Sequence, residues 1–391
     1  MGQEPTPTTR SQRAGSYVRQ PSGYKAFIPR PLPPQPVIHF DIEMQHLLSE
    51  ADAALGRLDG SIQTLPNPNL FILMYIRKEA VLSSQIEGTQ ASLNDVLKAE
   101  AELFSTERSG DVNEVINYVG AMEYGLARLG EFPLSVRLIR EIHARLMANA
   151  CGGRMSPGEL RSSQNWIGPR GSTLAEAVFV PPPHEEAGKA LGDLEAFLHA
   201  EDRLPALIKI ALAHAQFETI HPFLDGNGRI GRLLITFFLC WKGILEKPVL
   251  YLSYYLKRNQ DEYYRLLQRI RDHGEWEPWL KFFLRGVKEV ARQATDTARA
   301  IVALREHHRQ EILETLGAAG GNGLRVIERM YGNPYISVRN VVDLLGVSYA
   351  SANNLIAKLA EMGLLVELTG NARNRVFWYT AYSDLFSNLG E

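Results

Sequence analysis

Between His221 and Arg232 the chain reads HPFLDGNGRIGR, which gathers an imidazole, a carboxylate, an amide, three glycines and two guanidinium groups into twelve residues. The segment before it, LPALIKIALAHAQFETI, has helical spacing with Pro205 near the first turn. That helix has to end at about His221, because the residue before Pro222 is pushed out of the α region. Beyond the glycines, Ile230, Leu233, Leu234, Phe237 and Phe238 recur at the spacing of one face of a second helix. DGNG is therefore a turn that feeds a helix N-terminus, where unpaired N–H groups and the helix dipole favour an anion. Arg229 and Arg232 are three apart and share a face. Cations at this end are disfavoured by about 0.3–1 kcal/mol each, so placing two there makes sense around a multiply charged anion such as a polyphosphate. Asp225 is then set to hold a divalent cation, which prefers hard oxygen ligands. His221, an imidazole titrating near neutrality, is set to take a proton from an incoming hydroxyl. The set describes in-line attack of an alcohol on phosphorus. Each element alone also has a plain structural reading, a helix end or a turn. His214, on the preceding helix among apolar neighbours, reads as a buried structural residue.

At every position this stretch resembles the Fic signature HPFx(D/E)GNGRxxR, and AHAQFETI and PGELRSSQNWIG…VFVPPP also resemble that family. The resemblance implies transfer of AMP from ATP to a Ser, Thr or Tyr hydroxyl of a target protein or of the chain itself, with Mg²⁺ or alternatively Mn²⁺. It makes His221 the base and Asp225 the metal ligand. Gly226, Asn227 and Gly228 become the phosphate cradle, and Ile230 and Gly231 complete the nucleotide-binding turn. Arg229 and Arg232 would hold the polyphosphate and offset charge in the transition state. Relatives that use ATP as a phosphate donor carry Ala and Lys in place of the middle and last glycines of this loop, a pattern absent here. The β-prone runs of SSQNWIGPRGSTLAEAVFVPPP flank a Gly/Pro turn and read as a hairpin. Around Ile167 to Arg170 it resembles the family's flap, which receives the target segment by strand addition. Tyr263 and Tyr264 lie in DEYYRLL. In relatives the first of such a pair lies near the adenine, with core packing the equal alternative, while Phe223 reads as an anchor of the loop.

In VLSSQIEGT, Ser83 and Glu87 share a helix face and Gly88 stops the helix. A carboxylate in a last turn opposes the dipole, so Glu87 benefits from a cation, the alternative being a solvated side chain. The stretch resembles the family's inhibitory pattern (S/T)xxxE(G/N). By that resemblance Glu87 pairs with Arg232 and keeps ATP in an unproductive pose.

The 391 residues, formal net charge of -2, 45% hydrophobic and 22% charged content suit a soluble globular chain of two or three domains. Near-neutral charge gives no global pull toward nucleic acid or an acidic membrane. Two cysteines, Cys151 and Cys240, argue against a disulfide framework and for a reducing, cytoplasmic setting. No apolar secretory segment is visible, and LLITFFLCW is too short to span a bilayer.

The expected fold is mainly α: a Fic helical core with a β-hairpin flap, plus a C-terminal winged-helix domain. Residues 1–36, with eight of the 21 prolines, read as an extended or disordered arm whose Tyr24 and Phe27 strap onto a folded surface. Residues 37–110 form a helical region carrying the inhibitory helix, with stops at Gly60 and Gly88 and a restart capped by Ser92 and Asp95. Residues 111–290 form the catalytic core. Residues 291–319 form a linker helix, from about Val287, and a hinge at GAAGGNG; residues 320–391 form the winged helix.

In that last block a helix, a turn around Gly346 and a second helix ending at Gly363 precede two strands and a wing. This resembles a winged helix-turn-helix, a DNA reader whose second helix, here Ser348 to Glu361, would offer Tyr349, Ser351, Asn353, Asn354 and Lys358. From Gly317 to Glu391 six Arg/Lys balance six Asp/Glu, whereas DNA readers carry a basic patch, for which only Arg373 and Arg375 stand close together. Target recruitment or self-association, including a homodimer, is at least an equal use. The rival reading, from another class, is a DNA-binding regulator whose core only senses nucleotide.

Overall fold

The computed structural model describes residues 10–63, 68–101, 109–148, 156–169, 171–371 and 373–387. Cys151, Arg170 and Phe104 lie outside them. Strands β1 (Gly15–Arg19) and β2 (Lys25–Pro29) come first, followed by α1 (Ile42–Gln63), α2 (Pro68–Ile86), α3 (Leu93–Ala101), α4 (Gly110–Leu129) and α5 (Val136–Leu146). Next are α6 (His184–His199), α7 (Ala206–Ile220), α8 (Asn227–Trp241), α9 (Ser253–Arg258), α10 (Gln260–His273) and α11 (Trp276–Leu316). The chain ends with α12 (Gly320–Met330), β3 (Tyr335–Ser337), α13 (Val338–Leu345), α14 (Tyr349–Glu361), β4 (Val366–Glu367), β5 (Val376–Trp378) and α15 (Thr380–Ser387). Among the described residues no helix is long and apolar enough to cross a membrane.

The chain forms two compact units. The first takes its described residues from Met1–Gly56, Asn117–Glu246 and Tyr255–Val290. Its core is α7 and α8, buried on nearly every side, so the single apolar face expected of α8 is instead burial all round from Arg229 to Leu239. The helices approach closely where side chains vanish. A Cβ at Gly125 of α4 would stand 2.4 Å from Phe237, and Trp279 of α11 donates its indole N–H to the Ala211 carbonyl at 2.9 Å.

Of the two readings of the N-terminal arm, extended or disordered, its described part takes the extended one, with Tyr24 and Phe27 held against other segments. β1 and β2 pair antiparallel from Gly15↔Pro29 to Arg19↔Lys25. The Phe27 amide donates to the Val180 carbonyl at 2.9 Å, Phe27 is fully buried, and Tyr24 donates to Gln164 at 3.1 Å. Arg13 is buried and reaches both carboxylate oxygens of Glu277 at 3.0 Å. Prolines kept the arm from helix; long-range partners made it a hairpin. The expected flap hairpin is reduced to one antiparallel bridge, Ile167↔Phe179. A 3-10 turn at Leu174–Glu176, boxed by Thr173 and Glu176, uses up residues that would otherwise pair.

The second unit takes its described residues from Arg57–Ile116, Lys247–Tyr254 and Ala291–Glu391. α1 runs past Gly60 to Gln63, while Gly88 at φ 104° follows the end of α2. Ser92 and Asp95 cap α3 reciprocally: the Asp95 amide donates to Ser92 Oγ at 3.2 Å, and the Ser92 amide to the Asp95 carboxylate at 2.9 Å. Two expectations need correcting. The linker helix begins at Trp276, giving an unbroken α11 of 41 residues. GAAGGNG, expected as a hinge, is not an open loop: it forms a 3-10 turn and the first turn of α12. Two of its glycines serve close packing: a Cβ at Gly323 would meet Ile312 and Leu316 at 2.9 Å, and one at Gly320 would meet Leu313 at 3.1 Å. β3, β5 and β4 form a three-stranded antiparallel sheet in that order, beside α12 to α15. Tyr331, Tyr379, Tyr382 and Phe386 pack there with ring centroids 4.9–5.9 Å apart.

Phe27 carries most of the arm's burial. Phe27→Ala should lower unfolding stability by about 3–5 kcal/mol and Tyr24→Phe by about 1 kcal/mol, measured by denaturant titration of the full chain.

Candidate active site

α7 ends at Ile220, and His221 takes a left-handed conformation, φ 48° and ψ 61°. Pro222 excludes the α region at His221, and a non-glycine residue in this state costs about 1–2 kcal/mol. Something must offset that. The buried guanidinium of Arg161 donates from Nε to the His221 carbonyl at 2.9 Å, and also to the carbonyls of Ser163, Pro182 and Ile220. Its own amide donates to the Pro222 carbonyl at 2.9 Å. Asn165 Nδ2 donates to the Phe223 carbonyl at 2.9 Å. A second buried arginine, Arg271 of α10, donates to the Glu218 carbonyl at 3.3 Å and lies 3.8 Å over the Phe179 ring. Burial pulls both guanidinium groups down to about 10, so both stay charged at neutral pH and complement the negative end of α7.

The loop itself is clamped. Asn227 Oδ1 accepts from the Phe223 amide and its Nδ2 donates to the Phe223 carbonyl, both at 2.8 Å. Phe223 is buried and stacks on His143 of α5, centroids 3.8 Å apart and 6° from parallel. Nδ1 of His143 accepts the Gly158 amide at 2.9 Å, so Nε2 carries the proton and donates to the Asp225 carbonyl at 3.0 Å. Burial pushes His143 down to about 4, leaving it neutral at pH 7. Gly226 caps α8 at φ 75°, and a Cβ there would stand 3.0 Å from Met147 Sδ.

Helix geometry leaves the amides of Asn227, Gly228 and Arg229 without intrahelical acceptors, while the Ile230 amide closes the first turn on Gly226 at 3.0 Å. Arg229 and Arg232 are both buried, and Arg229 Nη2 lies 3.6 Å from Asp225 Oδ2. Asp225 also caps locally, its Oδ1 accepting the Gly226 amide at 2.6 Å. The turn thus joins anion-seeking amides, two arginines and one half-exposed carboxylate directly after His221. It has the means to hold a polyphosphate, to offer a hard oxygen to a cation, and to accept a proton.

Several expected site residues do other work. The Asn227 side chain is spent on the clamp, leaving its amide for the turn. Ile230 is in the core, and Gly231 faces Glu218, whose Oε1 would be 2.4 Å from an added Cβ. Tyr263 is in the core, the packing alternative of its two readings. Its hydroxyl meets His214 Nε2 at 2.8 Å, and its ring packs by Trp279. Tyr264 is the exposed ring of the pair, at 46%. His214 is fully buried, with Nδ1 2.8 Å from the Gly231 carbonyl. In the other unit, Ser83 is buried within α2, Glu87 is exposed just past its last residue, and Gly88 has positive φ.

Sequence reasoning missed His143, Arg161 and Asn165. Only His143 left a signal, a polar residue on the apolar stripe Leu138, Ile139, Ile142 and Leu146.

Residues 45–127 match the Fic/DOC family N-terminal region and residues 133–239 the Fic/DOC family, so the chain carries a Fic/DOC domain. A "Protein adenylyltransferase Fic" of Drosophila erecta is 30% identical over 176 residues, covering 44% of this chain and 31% of that protein. One of Nematostella vectensis with the same name is 29% identical over 177 residues, covering 44% and 37%. The match thus spans about a third of the length of these relatives. A crystal structure of a Fic family protein from Desulfovibrio desulfuricans superposes with a TM-score of 0.56 at 20% identity, covering 88% of this chain and 97% of that one. A Fic domain containing signaling protein from Bacteroides thetaiotaomicron gives 0.50 at 20% identity, covering 66% and 95%. Both likenesses concern the fold.

His143 and His214 are both pushed by burial to about 4, below the ~6.5 of an unfolded imidazole. The unfolded state then binds the extra protons, so stability should fall as pH drops from about 6.5 toward 4. The slope is at most about 1.4 kcal/mol per pH unit for each ring. Melting temperatures at pH 7, 6 and 5 should show the fall, and His143→Gln should flatten it; parallel profiles would contradict the assignment.

Proposed function

We propose that this chain is a protein adenylyltransferase, moving AMP from ATP to a Ser, Thr or Tyr hydroxyl of a protein. The observation that carries the reading is His221, fixed in a left-handed turn by Arg161, directly ahead of a helix N-terminus with Asp225 and two buried arginines. In the reaction the target oxygen attacks the α-phosphorus while the His221 imidazole takes its proton. The bond from that phosphorus to the bridging oxygen breaks, and pyrophosphate leaves on the opposite side. The amides after Gly226, together with Arg229 and Arg232, hold the polyphosphate and the charge that develops on it. Asp225 suits Mg²⁺, since its carboxylate is 46% exposed and such ions take one or two carboxylates plus phosphate oxygens. Bound there, the ion neutralises phosphate charge.

The remaining parts take supporting roles. Trp166 and Val178, 40% and 65% exposed beside the Ile167↔Phe179 bridge, would receive the target segment. Glu87 acts as a brake, a role supported by its place in SSQIEG. The C-terminal elements form a winged helix, a reading supported by the α13–α14 turn at Gly346 and the loop between β4 and β5. We assign it to target recruitment, because its charge balances.

Purified wild type, Glu87→Gly and His221→Ala, incubated with Mg²⁺ and ATP labelled at the α-phosphate, test the reading. Glu87→Gly should incorporate more label than wild type, and His221→Ala at least about 10²-fold less than Glu87→Gly. No protein-bound label in any of the three, with cell lysate as target, would refute adenylyl transfer. Equal labelling of wild type and Glu87→Gly would refute the brake alone.

A further inference from the structure

The second unit holds a cluster that the transfer reaction does not use. On α11, His307, His308 and Glu311 each place one ligating atom within 4.8 Å of the other two. Helical geometry accounts for it: at 3.6 residues per turn, Glu311 falls angularly between the two histidines and one turn beyond them. His308 is buried, and its Nδ1 lies 2.7 Å from the Tyr379 hydroxyl. Tyr379 is buried as well, its ring 5.9 Å from that of Tyr331. In the tautomer in which Nδ1 donates to that hydroxyl, Nε2 keeps its lone pair for a metal. Metal-binding histidines are oriented in this way, with the second ring nitrogen donating to a fixed oxygen. His307 is exposed and Glu311 half-exposed, so the cluster opens to solvent and leaves positions for water.

We propose that His307, His308 and Glu311 form a site for a divalent transition-metal ion of the zinc type, with His308 held in place through Tyr379. Two imidazoles and one carboxylate favour Zn²⁺, Ni²⁺ or Cu²⁺ over the oxygen-seeking Mg²⁺ and Ca²⁺. Binding fixes the His308 tautomer and ties α11 to the aromatic cluster of Tyr331, Tyr379 and Tyr382, so the ion stabilises this unit by mass action.

The test titrates Zn²⁺ into the full chain by calorimetry, after chelator treatment and with millimolar Mg²⁺ present to occupy hard-oxygen sites. One saturable equivalent is expected, with a rise in melting temperature. His307→Ala, an exposed substitution whose fold is checked by circular dichroism, should weaken that site, as should Glu311→Gln. Tyr379→Phe should weaken it roughly 10–100-fold. His221→Ala should bind Zn²⁺ as wild type does, so the outcome is independent of adenylyl transfer. Equal affinities for wild type, His307→Ala and Glu311→Gln, or no saturable binding, would overturn the site. An unchanged Tyr379→Phe would overturn the role of the phenol.

Discussion

The candidate site depends on how α7 is allowed to end. Its last carbonyls, at Glu218, Ile220 and His221, point into protein, where an unmet acceptor costs about 1–3 kcal/mol. Arg161 and Arg271 meet them with two buried guanidinium groups. Burying a cation is itself unfavourable, and it succeeds here because each guanidinium finds several oxygens and the negative pole of a helix. Without Arg161 the His221 carbonyl would lose its strongest partner, and the left-handed turn would lose what offsets its strain.

From that turn the rest follows in a short chain of contacts. Phe223 drops into the core and stacks on His143, Asn227 closes the loop around it, and Gly226 starts α8 with its first amides turned outward. His143 holds two segments at once, Gly158 and Asp225, and does so only as a neutral ring. At the far side, Gly231 lets α8 lie against Glu218 while its carbonyl takes a hydrogen bond from His214. The candidate site residues are thus displayed on a frame whose own polar atoms are largely committed to one another.

What could be read in the sequence was local. Pro222 marks the end of α7, the glycines mark the start of α8, and Ser92 with Asp95 marks the start of α3; each signal acts within four residues of its effect. What could not be read depended on distant partners. Tyr263 and Tyr264 are adjacent and alike, and only the positions of His214 and Trp279 decide which is core. GAAGGNG has the composition of a hinge, yet Ile312 and Leu316 turn its last glycine, Gly323, into a packing residue. Arg161 looked like any polar loop residue, because the carbonyls it binds at Ile220 and His221 lie about sixty residues further on.

The pairing of Arg13 with Glu277 also has a meaning in time. The two residues are 264 positions apart in the chain, and β2 meets Val180 in between. At roughly 5–20 residues per second, a ribosome needs about 13–50 s to deliver the second partner after the first. During that interval Arg13 lacks the Glu277 carboxylate, whereas Phe179, which packs on Phe27, is delivered well before it. The pairing of β2 with Val180 can therefore form before the Arg13–Glu277 pair, which waits for the start of α11.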